Sequence, residues 1–396
     1  MGGREMNPSN SSQRPGVPGT AGGLPVPLRL PLLALGFVAL FAGILAGLAR
    51  LVPLQIDHAS ELAAVHGPLM ICGFLGTVIG LERAVALSRR WAFAGPLATA
   101  LGGASLIAGG PAGVPELVGP ALFFLGSLIL CLANGAVLRL RMADDTIVMA
   151  LGALAWAGGN LLWLSGAGFE AVVPLWAAFL ILTIAGERLE LSRLMPPTRF
   201  GRKLFALVVA VLGLGALLAA LWGENGEMLF GAGLIALAAW LVRYDVARRT
   251  VRTEKLPRFI AICLLSGYAW LALAGVLILA SGGISADRMV YDGALHAIFL
   301  GFVFSMIFGH APVILPAVTT FQVPYRPWFY LHLALLHLSL ALRLVGDLTA
   351  NDALRGHGGH VNAAAIILFV VATVSSAIAA RLARSRKAAL ASGRKG

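Results

Sequence analysis

Residues 66–90 read HGPLMICGFLGTVIGLERAVALSRR. One polar residue, His66, opens an apolar run that closes on Glu82-Arg83 and Arg89-Arg90. A hydrocarbon core of about 30 Å needs about 20 apolar residues in a helix, and this run supplies them. Its charge sits at one end, and basic residues resist translocation, so that end reads as cytoplasmic. Working outward, eleven further runs of the same kind can be drawn. The twelve lie at 30–50, 62–86, 91–110, 116–138, 147–166, 172–188, 203–222, 228–242, 259–281, 291–318, 328–346 and 361–380. With a cytoplasmic N-terminus, all but four of the 30 Lys and Arg residues fall on the inner side. The exceptions are Arg50, Arg288, Arg343 and Arg355. A missed or invented span would throw the later basic clusters to the wrong side. The expectation is an all-α polytopic protein of an inner (plasma) membrane, with twelve helices and both termini cytoplasmic.

Composition agrees. Apolar residues make up 59% of the chain and charged residues 12%, far from the balance of soluble domains. Twelve spans consume most of the 396 residues and leave no room for a soluble domain. The expected organisation is a disordered cytoplasmic tail over 1–29, one transmembrane domain over 30–382 and a basic cytoplasmic tail over 383–396. The first span lacks a small-residue cleavage site and reads as an anchor. The net charge of +12 is spread over loops, as topology requires, which argues against nucleic acid as a partner. Cys72, Cys131 and Cys263 stand singly, with no CxxC, so neither a disulfide framework nor a zinc site is indicated. No phosphate loop or dinucleotide fingerprint is present.

A weak repeat runs through the chain. FLGTVIGLERAVALSR (74–89) is echoed by FLILTIAGERLELSR (179–193), each closing a helix with Glu-Arg, at Glu82-Arg83 and Glu187-Arg188. GFVFSMIFGHAP (301–312) resembles GFLGTVIGLERA (73–84), with His310 in the place of Glu82. These are the second, sixth and tenth spans, which suggests three quasi-equivalent four-helix units. Such repeats often hold sites between them.

Ionisable groups inside a bilayer are costly and become functional candidates by default. His66 lies near the outer end of the second span and His296 near the outer end of the tenth. Two histidines at matching depth can approach one flat ring from opposite faces, and imidazole nitrogen is a good axial ligand to haem iron. Gly67, Gly73, Gly293 and Gly301 flank them and leave space for a planar group. The alternative is that each histidine makes a helix-to-helix hydrogen bond. His310 lies fourteen residues beyond His296, about 21 Å deeper at 1.5 Å per residue. His310 and His332 share an inner depth with Glu82 and Glu187. They read either as a proton path or second site, or as interface Glu-Arg pairs beside histidines bonded to backbone. His337 is turned roughly 140° from His332 and serves no common ligand set with it. In the outer loops, His58 and the HGGH of His357 and His360, with Asp57 and Asp352, offer copper or zinc a transient site. A solvated loop is the other reading.

Twelve helices, with a histidine high in the second and another high in the tenth, resemble the core subunit of haem–copper oxidases. HGPLMICGFLGTVIG and HAIFLGFVFSMIFGHAP are closer still to the NnrS-like family of haem- and copper-containing membrane proteins linked to nitric-oxide tolerance. VHGPLM stands where that family's WHxHE-type start is expected, so the chain resembles a divergent member. The resemblance implies haem b, His66 and His296 as axial ligands, His310 as the next candidate, copper as a further metal, and a diatomic gas or redox partner. The sixth and seventh spans hold no histidine for a catalytic copper, so oxygen reduction is not expected. A proton-coupled secondary transporter, using Glu82, Glu187, His310 and His332, is the competing expectation.

Overall fold

A computed structural model describes residues 23–51, 59–192, 195–285 and 287–392; His58 and the expected tail up to residue 22 lie outside them. Among the described residues, twelve helices are long and apolar enough to cross a membrane. They are α1 (Val26–Ala49), α2 (His66–Leu87), α3 (Arg90–Gly109), α4 (Val118–Leu140), α5 (Asp144–Leu164) and α6 (Phe169–Leu191). They continue as α7 (Arg199–Trp222), α8 (Glu224–Tyr244), α9 (Lys255–Ser281), α10 (Arg288–Thr319), α11 (Phe329–Leu348) and α12 (Asp352–Ser385). No strand occurs among the described residues. The chain is a multi-pass helical membrane protein whose outer faces contact lipid, where Leu132, Leu207 and Leu338 stand exposed.

The helix ends follow local chemistry. Asp287 caps α10, its carboxylate accepting from the backbone N–H of Met289 and Val290. Thr198 caps α7 through the N–H of Gly201. Gly282 ends α9 in the left-handed conformation, at φ 82°, which glycine adopts without steric cost.

Two boundaries depart from expectation. The second span starts at His66, because a separate short helix, Ala59–Ala64, ends in a turn at Val65 before α2 begins. The last helix runs from Asp352 to Ser392, absorbing both the expected HGGH loop and most of the expected basic tail. Glycines usually read as loop, but here they form a contact face. A Cβ on Gly358 would lie 2.7 Å from the backbone nitrogen of Arg343, so only glycine lets α12 approach α11 so closely.

Successive helices pack in order, and α12 closes the ring against α1. The packing repeats with a period of four: α1 touches α3, α5 touches α7, and α9 touches α11. The helices that bury the largest share of their residues are α2, α6 and α10, at 61, 78 and 67%, while no other exceeds 56%. These are the helices that carry the sequence repeat. α10 contacts both α2 and α6.

The repeat extends to a backbone defect. α2 widens into a π-helix over Leu69–Gly76, and α10 does so over Ala297–Phe304. The two stretches occupy corresponding positions in the repeat that aligns Glu82 with His310. α6 carries no such turn. π segments inside α-helices gather at functional sites, and each of these follows a histidine.

Candidate functional site

His66 and His296 meet. Their ring centres lie 6.5 Å apart and their planes differ by 15°. His66 is the first residue of α2, and His296 is the last α-helical residue of α10 before its π segment. Each ring uses Nδ1 on a backbone carbonyl: His66 on Gly43 of α1 at 2.7 Å, His296 on Asp292 at 2.7 Å. A carbonyl only accepts, so the proton sits on Nδ1 and each Nε2 keeps its lone pair. That tautomer suits metal ligation, where the second ring nitrogen is tied to a carbonyl or carboxylate.

The pair lines a cavity of about 660 Å³ between α1, α2, α6, α10, α11 and α12. Its apolar wall includes Ile44, Met70, Ile71, Leu75, Phe299 and Phe304. Its polar wall carries Arg50, Arg288, Arg343 and Arg355, the four basic residues that the charge pattern sets apart. Against them, among the described residues, the lining carboxylates are Glu170 and Asp292. Ser285 also lines the cavity, and its hydroxyl and N–H donate to the buried carboxylate of Glu227 on α8, which pins the α9–α10 connection.

Asp292 ties the polar wall to the histidine pair. One carboxylate oxygen lies 3.5 Å from Nδ1 of His296. The other accepts from Arg343, at 2.7 Å from Nη2 and 3.2 Å from Nε. Arg355 adds a charge at 3.8 Å and sits 3.0 Å from Asp347. The Arg355–Asp347 contact is short but makes no hydrogen bond, so it is a Coulombic pair. None of Asp292, Arg343 and Arg355 stands out as a site residue in the sequence. Two signals were available: arginines on the wrong side for topology, and an Asp four residues before a histidine, one helical turn away.

Of the four glycines expected to make room for a planar group, Gly67 borders open space. Gly73 instead accommodates Ala39, Gly293 accommodates Leu344 and Gly301 accommodates Trp270, so these three serve helix packing. Gly47 of α1 is the glycine that matters most to the pair, since a Cβ there would lie 2.7 Å from Cε1 of His66.

At the opposite end of the bundle, Glu82 and Glu187 lie within electrostatic range of one another and of Arg83 and Arg188. Arg188 reaches Asp245 at 3.6 Å, and Asp245 accepts from the Tyr268 hydroxyl at 2.8 Å and the Ala247 N–H at 2.7 Å. His310 feels the charge of Arg188 and bonds Met306 of its own helix through Nδ1. His332 is not tied to this group by any polar contact among the described residues. Its ring is enclosed by Phe259, Phe308, Phe329 and Phe369, and neither nitrogen has a hydrogen-bond partner. His337 accepts from Trp270 through Nδ1 at 2.9 Å.

His357 and His360 stand on the exposed first turns of α12, each bonded to its own helix through Nδ1. They are helical residues, where a mobile loop was expected. Among the described residues, no group of three or more His, Cys, Asp or Glu side chains is placed to hold a bare metal ion.

Fold and site together define a polytopic membrane protein with a paired-histidine, arginine-rimmed cavity at one end. A family model, Domain of unknown function (DUF8744), matches residues 29–378. The chain belongs to the DUF8744 family, and the match takes in all twelve helices. No curated protein matches it.

Proposed function

We propose that this chain is a haem b protein of the inner membrane, with His66 and His296 as the axial ligands. The observation that carries the reading is the histidine pair itself. Two imidazoles with free Nε2 lone pairs lie 6.5 Å apart centre to centre, a separation that accommodates one metal bonded at about 2 Å to each ring. Two protein ligands fall short of the four that a bare structural metal takes, whereas a porphyrin supplies its own four nitrogens. The cavity's division into an apolar wall and an arginine wall matches a macrocycle with acidic edge groups, which guanidinium forks hold well. The chain has no CxxCH for covalent attachment, which favours the b type. When bound, haem supplies redox and gas-ligand chemistry; the protein holds it, orients it and excludes water.

The basic-residue pattern supports an orientation with the histidine pair near the outer face and both termini in the cytoplasm. The likeness to NnrS-like proteins supports a part in nitric-oxide response or nitrogen-oxide respiration, by gas binding or electron transfer. Copper or zinc at His357 and His360 rests on residue type alone. A second reading, proton-coupled transport, draws on one observation: the half-buried Glu82 and Glu187 lie within electrostatic range of each other near the ends of α2 and α6.

The test is spectroscopic. Protein purified from haem-replete cells is expected to show a Soret band that shifts on reduction and vanishes in the His66→Ala, His296→Ala double variant. A colourless, folded preparation would refute the proposal. Proton flux in liposomes that requires Glu82 would move the reading to transport.

A further inference from the structure

We infer that the two histidines are unequal partners: His296 is the fixed ligand, and His66 is the one that yields to a small neutral diatomic molecule. This rests on the haem reading of the cavity and adds the class of substrate and the residue that makes way for it.

Three observations separate the rings. The first is what holds Nδ1. His296 donates to the Asp292 carbonyl and has the Asp292 carboxylate at 3.5 Å, itself fixed by two hydrogen bonds from Arg343. A carboxylate behind a ligating imidazole fixes its orientation and raises its basicity. His66 has one neutral partner, the Gly43 carbonyl on another helix. The second is backbone support. His296 lies inside a continuous helix, with eight helical residues before it and the π segment after it. His66 opens its helix directly after the turn at Val65, so its N–H is one of the orphaned first-turn donors. Helix ends open at lower cost than helix interiors. The third is space. Gly47 closes the α1 side of the His66 ring, while beside Gly67 a Cβ would meet nothing within 4 Å. Open volume is therefore available next to His66.

The incoming molecule is small and neutral because the wall beneath the pair is apolar, with Ile71 and Phe299. One ligand bond replaces another, so the exchange moves no proton and no electron.

Carbon monoxide is the probe, applied to the reduced, purified full chain and to three variants. His66→Ala is expected to keep haem at the wild-type level, to show a five-coordinate spectrum, and to take up carbon monoxide at least tenfold faster than wild type. His296→Ala is expected to lose haem at least tenfold. Adding Asp292→Asn to His66→Ala should shift the iron–histidine stretching band, since the remaining ligand is then His296. That third measurement holds even where His296→Ala does not fold. Loss of haem from His66→Ala with retention in His296→Ala overturns the inference, as does equal loss from both. An unmoved band in the Asp292→Asn combination overturns it too. In each case haem in the wild type leaves the parent reading standing. A wild type without haem removes both.

Discussion

At the His66 end of the bundle, four arginines and two carboxylates stand round an open cavity of about 660 Å³. At the Glu82 end, Arg188, Asp245 and Tyr268 are buried and close on one another. Charge inside a membrane protein is expensive wherever it lies. The Glu82 end meets that cost by internal pairing and packing. The His66 end pairs Arg343 and Arg355 with Asp292 and Asp347 and keeps open space beside them. The contrast separates charges closed on one another from charges that border open space.

The largest expected effect breaks the His66 end. Arg343→Ala strips Asp292 of its two hydrogen bonds and leaves a mostly buried carboxylate short of charge, at a cost of about 3–5 kcal/mol. Thermal unfolding in detergent would show the loss, and Arg343→Lys should recover only part of it, because one ammonium cannot reproduce the fork. Tyr268→Phe probes the other end. It removes one hydrogen bond to a buried carboxylate and should cost about 2 kcal/mol, with the Soret band unchanged. The two ends share no contact, so the double variant should be additive to within about 0.5 kcal/mol. Strong coupling would show that the contrast between the ends is false. Gly47→Ala sharpens it: overpacking against the His66 ring should cost about 1–2 kcal/mol and shift the spectrum of the proposed haem. A Gly47→Ala spectrum identical to wild type would mean that α1 does not set the ring. Smallest is His357→Ala on the exposed face of α12, which should leave both stability and spectrum as they were.

Much of this arrangement was legible before any coordinates. Twelve apolar runs and the side on which their basic residues fall defined the spans, because membrane insertion imposes length and charge rules on sequence directly. The repeat of Glu82, Glu187 and His310 falls on the three most buried helices. Depth-matching brought His66 and His296 together, since both lie near the same end of their spans. What stayed hidden depended on neighbours. Gly358 and Gly359 read as a loop because sequence does not show that α11 will press against the first and Leu51 against the second. Asp245 and Tyr268 are 23 residues apart, and nothing local announces that they share a hydrogen bond. The same holds for the cage around His332, assembled from α9, α10, α11 and α12. Arg343 and Arg355 were visible as oddities of topology, but their common cavity was not.

The π segment of α2 has a mechanical consequence. A π turn holds one residue more than its α counterpart, so residues before it are rotated by about 100° from where a plain α-helix would place them. The segment in α2 begins at Leu69, three residues past His66. The direction in which the His66 ring faces is therefore set by an inserted residue, while Thr77 to Glu82 follow the ordinary helical repeat.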